Sequence, residues 1–303
     1  MAPLSFQPMA YQRDAEAILD QKFIDLYDRY THGHMKRRDF FEHLAILAGG
    51  TAAATALLAS LQNDYAKAAI VAEDDKRLHT EMVSFSVGDA KATGYLAKPV
   101  NIEKAPAVIV IHENRGLNPH TKDVARRLAL EGFVALAPDY LSEFGGTPAD
   151  EDKARELIGQ LKPEGTVALS RGAVAYLASR SDVNGKVGAV GFCWGGGQVG
   201  ALAVAEPNLA AGVVYYGRQP PPDKVKDIKA PLLLNYAGID ENVNPGIAAF
   251  EEALKANGKT YELFMYEGAN HAFNNDTNAA RYNKEAADLA WGRTVAFLKK
   301  NTA

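Results

Sequence analysis

The 303-residue chain has one cysteine, Cys193. A lone thiol excludes an intrachain disulfide framework and any zinc cluster built from thiolates. There is no basic excess either: 33 Lys and Arg stand against 37 Asp and Glu, a formal net charge of -4. That balance excludes the broad positive face of nucleic-acid-binding domains, so no nucleic-acid partner is expected. The seven histidines contain no metal pair at helical spacing. His112-Glu113-Asn114 opens like a zinc-protease helix, but no second histidine follows four residues on, and the triplet closes an apolar strand-like run. No metal site and no organic cofactor is expected. A stable membrane span is not expected either. The least polar stretch, residues 44–61, is diluted by Gly49, Gly50 and many alanines, against the roughly 20 predominantly apolar residues a span requires.

What remains is ordinary globular material. Hydrophobic residues make up 47% of the chain, enough for a sizeable core, and the length fits one large α/β domain or two smaller ones. The pattern changes near residue 75, so an N-terminal extension (1–75) and a main domain (76–303) are expected. In the extension, residues 11–30 place Ala15, Ile18, Leu19, Phe23, Leu26, Tyr27 and Tyr30 on one helical stripe. Then Arg37-Arg38 precedes Phe40, the weakly apolar run, and the small-residue triplet Ala66-Lys67-Ala68. That succession resembles a twin-arginine export signal with its cleavage site. The competing reading is a structural helical hairpin packed on the main domain or on a second copy, a candidate homodimer contact. The late position of the arginine pair, the helix before it and the polar Glu42-His43 favour the hairpin. Periplasmic export and a cytoplasmic location both stay open.

From residue 81 strands and helices alternate. Residues 82–87 and 93–99 read as an antiparallel pair of strands. Residues 106–112 and 133–139 read as strands buried on both faces, and residues 186–192, 209–217, 230–238 and 260–268 as further strands. Helices are expected over 118–132, 149–162, 166–180, 195–206, 245–258 and 281–300. This alternation predicts an α/β class with a mostly parallel sheet and helices on both faces.

Sites in such sheets gather at the carboxyl ends of the strands. There the sequence delivers Cys193 in Gly-Phe-Cys-Trp-Gly, then Asp240, then His271. The chain order nucleophile, acid, histidine is that of the nucleophile-elbow hydrolases, with cysteine in the serine position of G-x-S-x-G. The flanking glycines remove side chains that would collide at a sharp strand-to-helix turn, and the following helix points its N–H groups at the thiol, favouring the reactive thiolate. Glu241 competes with Asp240 and His112 with His271. Asp240 stands closer to the strand end, and His112 breaks the chain order and reads as a structural histidine.

Residues 81–300 resemble the dienelactone hydrolase (carboxymethylenebutenolidase) family. The resemblance is carried by "VIVIHENRGLNPHTKDVARRLALEGFVALAPD", "NGKVGAVGFCWGGG", "VVYYG", "PLLLNYAGIDENV" and "YEGANHAF". The extension with "YDRYTHGHMKRRDF" resembles that of an uncharacterised subgroup. The resemblance implies a minimally capped α/β-hydrolase fold and a Cys193–His271–Asp240 triad. It also implies that Glu113 helps take the thiol proton and that the backbone N–H groups of Trp194 and Asn114 form an oxyanion hole. The reaction implied is hydrolysis of a small ester or lactone through an acyl-enzyme thioester. Two other classes compete: a non-catalytic scaffold, and a thioesterase or acyl transferase on the same triad. One departure bears on substrate. The family grips a substrate carboxylate with an arginine four residues after the histidine, and here that position is Asn275. Arg115 and Arg218, each following a strand, are the candidate replacements.

Overall fold

The computed structural model of the protein describes residues 19–65 and 69–303. The triplet Ala66-Lys67-Ala68, and Ala15 and Ile18 of the expected stripe, lie outside the described residues. Contacts divide the chain into two units, Met1–Leu61 and Gln62–Ala303.

The first unit contains α1 (Gln21–Thr31), α2 (Arg37–Ala48) and α3 (Thr51–Leu61). Asp20 caps α1 by accepting the Lys22 N–H at 3.2 Å, which satisfies one of the orphan donors of a helix start. Tyr30 of the predicted stripe stacks on Phe40 of α2, with centroids 4.5 Å apart and planes 10° apart. Arg37 and Arg38 open α2. The apolar run 44–61 is not one helix. Gly49 (φ 78°) and Gly50 (φ 147°) adopt backbone that side-chain-bearing residues disfavour, and α2 and α3 meet there at a 112° bend. Among the described residues no single helix is long and apolar enough to cross a membrane, although this bent pair together reaches that length and composition.

The second unit runs β1 (Leu78–Val87), β2 (Ala90–Pro99), β3 (Ala105–Ile111), α4 (Pro119–Leu130), β4 (Val134–Pro138), α5 (Glu151–Ile158), α6 (Pro163–Ala178), β5 (Val183–Phe192), α7 (Trp194–Ala205), β6 (Ala211–Tyr215), β7 (Leu232–Ile239), α8 (Ile247–Ala256), β8 (Tyr261–Asn270) and α9 (Lys284–Thr302). One eight-stranded sheet has the order β1-β2-β4-β3-β5-β6-β7-β8. β2 pairs antiparallel with both β1 and β4, and all other pairs are parallel. The apolar runs of β3 and β4 are buried on both sides, as expected, whereas the edge strand β8 is largely half-buried or exposed. In β3, Ile109 and Ile111 pack into one core while Val108 and Val110 pack into the other. Two helix starts stand three residues from the sequence pattern, for local reasons. α6 begins at Pro163, where the fixed φ and missing N–H of proline suit a first helical turn. α9 begins at Lys284 instead of 281, because the Asn283 side chain accepts the Ala286 N–H at 3.1 Å and caps the helix there.

The segment leading into β1 is fastened to this unit. The Asp64 N–H donates to Thr277 O at 2.7 Å. Asn278 Nδ2 donates to Asn63 Oδ1 at 3.3 Å. Asn118 Nδ2 donates to the Tyr65 hydroxyl at 2.9 Å, and Tyr65 donates to Glu151. The Ile70 and Val71 N–H groups both reach the buried carboxylate of Asp123, at 3.2 and 2.8 Å. Arg126 Nε donates to Val71 O at 2.8 Å. Residues 63–65 thus tie the loop after β3 to the loop after β8.

Candidate active site

Cys193 sits between β5 and α7 with φ 54° and ψ -115°. A side-chain-bearing residue there stores about 1–3 kcal/mol of backbone strain. The turn is held by Cys193 N–H donating to Tyr215 O (3.0 Å) and Gly197 N–H donating to Cys193 O (3.2 Å). The glycines are sterically required. A Cβ on Gly191 would stand 2.1 Å from Gly195 O, and one on Gly195 would stand 2.3 Å from Ile111 O. Among the described residues the non-glycine positions with positive φ are Cys193, Tyr216 and Ala272. All three follow the carboxyl ends of strands, β5, β6 and β8.

Asp240 follows β7 and is buried. One carboxylate oxygen accepts the Asn242 and Val243 N–H groups, each at 3.1 Å. The other accepts from His271 Nδ1 at 2.6 Å. Glu241 is exposed and takes no part in that pair. His271 follows β8 and is 2% exposed. A ring nitrogen lies within 4.8 Å of Cys193 Sγ. Burial alone would make its imidazolium unfavourable. Interactions with Cys193 and with the Asp240 carboxylate, both hydrogen-bonded to the ring, outweigh burial and hold its pKa well above the ordinary value of 6.5. The structure therefore brings Cys193, His271 and Asp240 together.

Glu113 and Asn275 are joined although 162 residues apart in sequence: Asn275 Nδ2 donates to Glu113 Oε2 at 3.0 Å. Asn275 Oδ1 accepts from the Thr277 N–H (3.1 Å) and hydroxyl (2.6 Å). Asn275 is fully buried, and both ends of its amide are engaged by protein. Glu113 is also buried, and its Oε1 has no hydrogen-bond partner among the described residues. The Tyr216 ring packs on His271 with centroids 5.0 Å apart. Burial first, then the charges of Glu113 and Cys193, push its phenol well above the ordinary value. Sequence reasoning passed over Tyr216. Its one signal was a tyrosine pair ahead of a glycine at a strand end.

His112 is fully buried. Its Nδ1–H donates to Glu113 O at 2.6 Å, and its Nε2 accepts the Tyr140 N–H at 3.3 Å. Burial pushes its pKa down and keeps the ring neutral. Trp194 stacks on the ring, with centroids 5.5 Å and planes 15° apart. Asn114 is half-buried beside Glu113. The two candidate arginines part ways. Arg115 is buried, with Nε 3.0 Å from Glu151 of α5. Arg218 is exposed on the loop after β6, its backbone against the first turn of α7 near Gly197.

Parallel strands that deliver a strained cysteine turn, an acid and a histidine in this order have the architecture of the α/β-hydrolases. A crystal structure of a "Putative Dienelactone Hydrolase" from Klebsiella pneumoniae superposes with a TM-score of 0.68 at 28% identity, covering 74% of this chain and 99% of that one. The chain belongs to the dienelactone hydrolase family, whose sequence profile matches residues 92–302. A YqhI-like profile matches residues 11–50. Among curated relatives, a "Putative carboxymethylenebutenolidase" of Saccharolobus solfataricus is 36% identical over 247 residues, 70% of this chain and 95% of the relative. One of the same name from Escherichia coli K12 is 34% identical over 224 residues, 68% and 81% respectively.

Proposed function

We propose that the protein hydrolyses small carboxylic esters or lactones with Cys193 as nucleophile. The observation that carries this reading is the placement of His271, paired with Asp240 through Nδ1 and hydrogen-bonded to a cysteine held at positive φ. His271 takes the thiol proton, and the thiolate attacks the substrate carbonyl carbon. The negative charge on the carbonyl oxygen meets the N–H groups of Trp194 and Asn114. The imidazolium gives its proton to the departing alkoxide, leaving a thioester on Cys193. Water then gives a proton to His271, adds to the thioester and releases the acid, and the thiol is restored.

Glu113 is a second acceptor for the thiol proton, held by Asn275 with one oxygen uncommitted. Asn275 serves here as a brace for Glu113 and not as a grip on substrate. Since Asn275 is uncharged and Arg115 is paired with Glu151, a free carboxylate is not required of the substrate. Where one is present, Arg218 meets it.

Cys193→Ala is expected to abolish turnover of p-nitrophenyl acetate while leaving the fold intact. Undiminished turnover in that variant would remove the mechanism. Free acid as the product in the presence of an added alcohol separates hydrolysis from acyl transfer.

A further inference from the structure

The two proposed oxyanion donors come from distant parts of the chain. Asn114 N–H lies in the loop after β3, and Trp194 N–H opens α7. Such donors work only when held in fixed relation to each other. Several observations converge on the residue between them. The peptide joining Glu113 to Asn114 is one planar unit, with the Glu113 carbonyl and the Asn114 N–H pointing in opposite directions. A hydrogen bond to that carbonyl therefore aims that N–H. The donor is His112 Nδ1, at 2.6 Å. The other face of the relation is aromatic. The Trp194 indole lies on the His112 ring at 5.5 Å, and Tyr140 closes the edges of both, 5.3 Å from His112 and 5.1 Å from Trp194 with planes 87° and 86° apart. The ring is fixed in turn by the Tyr140 N–H on Nε2. With Nε2 accepting, the proton stands on Nδ1, which is the tautomer that the Glu113 carbonyl needs.

We infer that His112 is a positioning residue that aligns both oxyanion donors, aiming Asn114 N–H through the Glu113 carbonyl and seating Trp194 by stacking. The inference rests on the acyl-transfer reading above. His112 touches no reacting atom, so its effect is confined to steps in which charge develops on a carbonyl oxygen.

Two reactions of Cys193 separate this role from a general structural one. Acylation by p-nitrophenyl acetate needs the thiolate and the oxyanion donors. Alkylation by iodoacetamide needs the thiolate alone. His112→Phe keeps a flat ring between Trp194 and Tyr140 and removes both hydrogen bonds. Removing an oxyanion donor outright costs about 100–1,000-fold, so mis-aiming one is expected to slow acylation on the order of 10–100-fold, with KM and the alkylation rate each within about 2-fold of wild type. Unchanged acylation in the folded variant overturns the inference, and so does an equal fall in acylation and alkylation. If His112→Phe fails to fold, His112→Gln and His112→Met decide. The glutamine amide can still donate to the Glu113 carbonyl and methionine cannot, so glutamine is expected to acylate at least about 5-fold faster at equal alkylation rates. Equal acylation by the two overturns the proposal. Turnover by Cys193→Ala would signal a different failure, that of the underlying mechanism.

Discussion

The three glycines that follow Trp194 offer one substitution with opposite outcomes at neighbouring sites. A Cβ at Gly195 stands 2.3 Å from Ile111 O and 2.5 Å from His112 O, whereas real Cβ contacts essentially never fall below 3.0 Å. The start of α7 and the end of β3 must therefore part by about 0.7 Å, the difference between those two distances. Neither side gives way readily, because β3 is hydrogen-bonded to β5 as far as Ile111–Gly191. Overpacking of this kind costs about 1–3 kcal/mol, a fall in Tm of roughly 2–12 °C for a domain of this size. The same movement is expected to separate the two proposed oxyanion donors, the N–H groups of Trp194 and Asn114. A 1 Å misplacement in a catalytic array costs about 100-fold, so kcat/KM for p-nitrophenyl acetate is expected to drop roughly 10–100-fold. At Gly197 the nearest atom to an added Cβ is Arg218 O at 3.5 Å, an ordinary contact. Alanine there gains up to about 1 kcal/mol of helix propensity and is expected to leave activity unchanged. Melting curves and ester kinetics on the two variants test the argument together. If Gly195→Ala matches Gly197→Ala in both measurements, the steric account of the turn is wrong.

Asp240→Asn removes one of the charges that hold His271 above 6.5, so the alkaline limb of the acylation rate is expected to move to lower pH; an unmoved limb would contradict the pairing. By linkage, a pKa raised on folding stabilises fully below the unfolded value of about 6.5 and loses that contribution as pH rises through the folded value, so the Tm gap between wild type and this variant is expected to narrow in alkali. A chain beginning at Gln62 retains the Asp64, Ile70 and Val71 donors. One beginning at Ala72 strips two donors from buried Asp123, which keeps Arg126 and Arg127, and takes the Val71 acceptor from buried Arg126 Nε; at about 1–3 kcal/mol for that unsatisfied group it is expected to melt below the chain beginning at Gln62, and equal melting temperatures would refute the fastening. Arg218→Ala is expected to raise KM for carboxylate-bearing lactones more than for neutral esters, and equal effects would reject an anion-binding role.

The sheet was legible because strands buried on both faces leave continuous apolar runs, and Ile109 and Val110 do face opposite cores. The cysteine turn was legible because its glycines are imposed by backbone contacts a few residues away in space, and Gly191 meets Gly195 itself. What Asn275 lacks could also be read from the sequence. What it does could not, because its partner Glu113 lies 162 residues earlier and nothing local marks the pair. Arg115 likewise reads as a free loop arginine until Glu151 of α5 is seen beside it. The apolar run 44–61 looked continuous in composition, and only the backbone angles of Gly49 and Gly50 divide it. Asn63, Asp64 and Val71 bond to residues far along the chain, so nothing local in the sequence marks their segment.

That last property has a consequence for the order in which the protein is made. Asn63 must wait for Asn278, 215 residues later, and Asp64 must wait for Thr277. At roughly 5–20 residues per second, that delay is on the order of 10–40 s. Throughout that interval the segment has left the ribosome without the loop it will bind, so its docking is among the last events of synthesis. The contacts that brace the loop carrying Asn275 therefore close from both ends of the chain at once, and a ribosome stalled short of Thr277 holds a nascent chain in which Glu113 has neither its amide nor its brace.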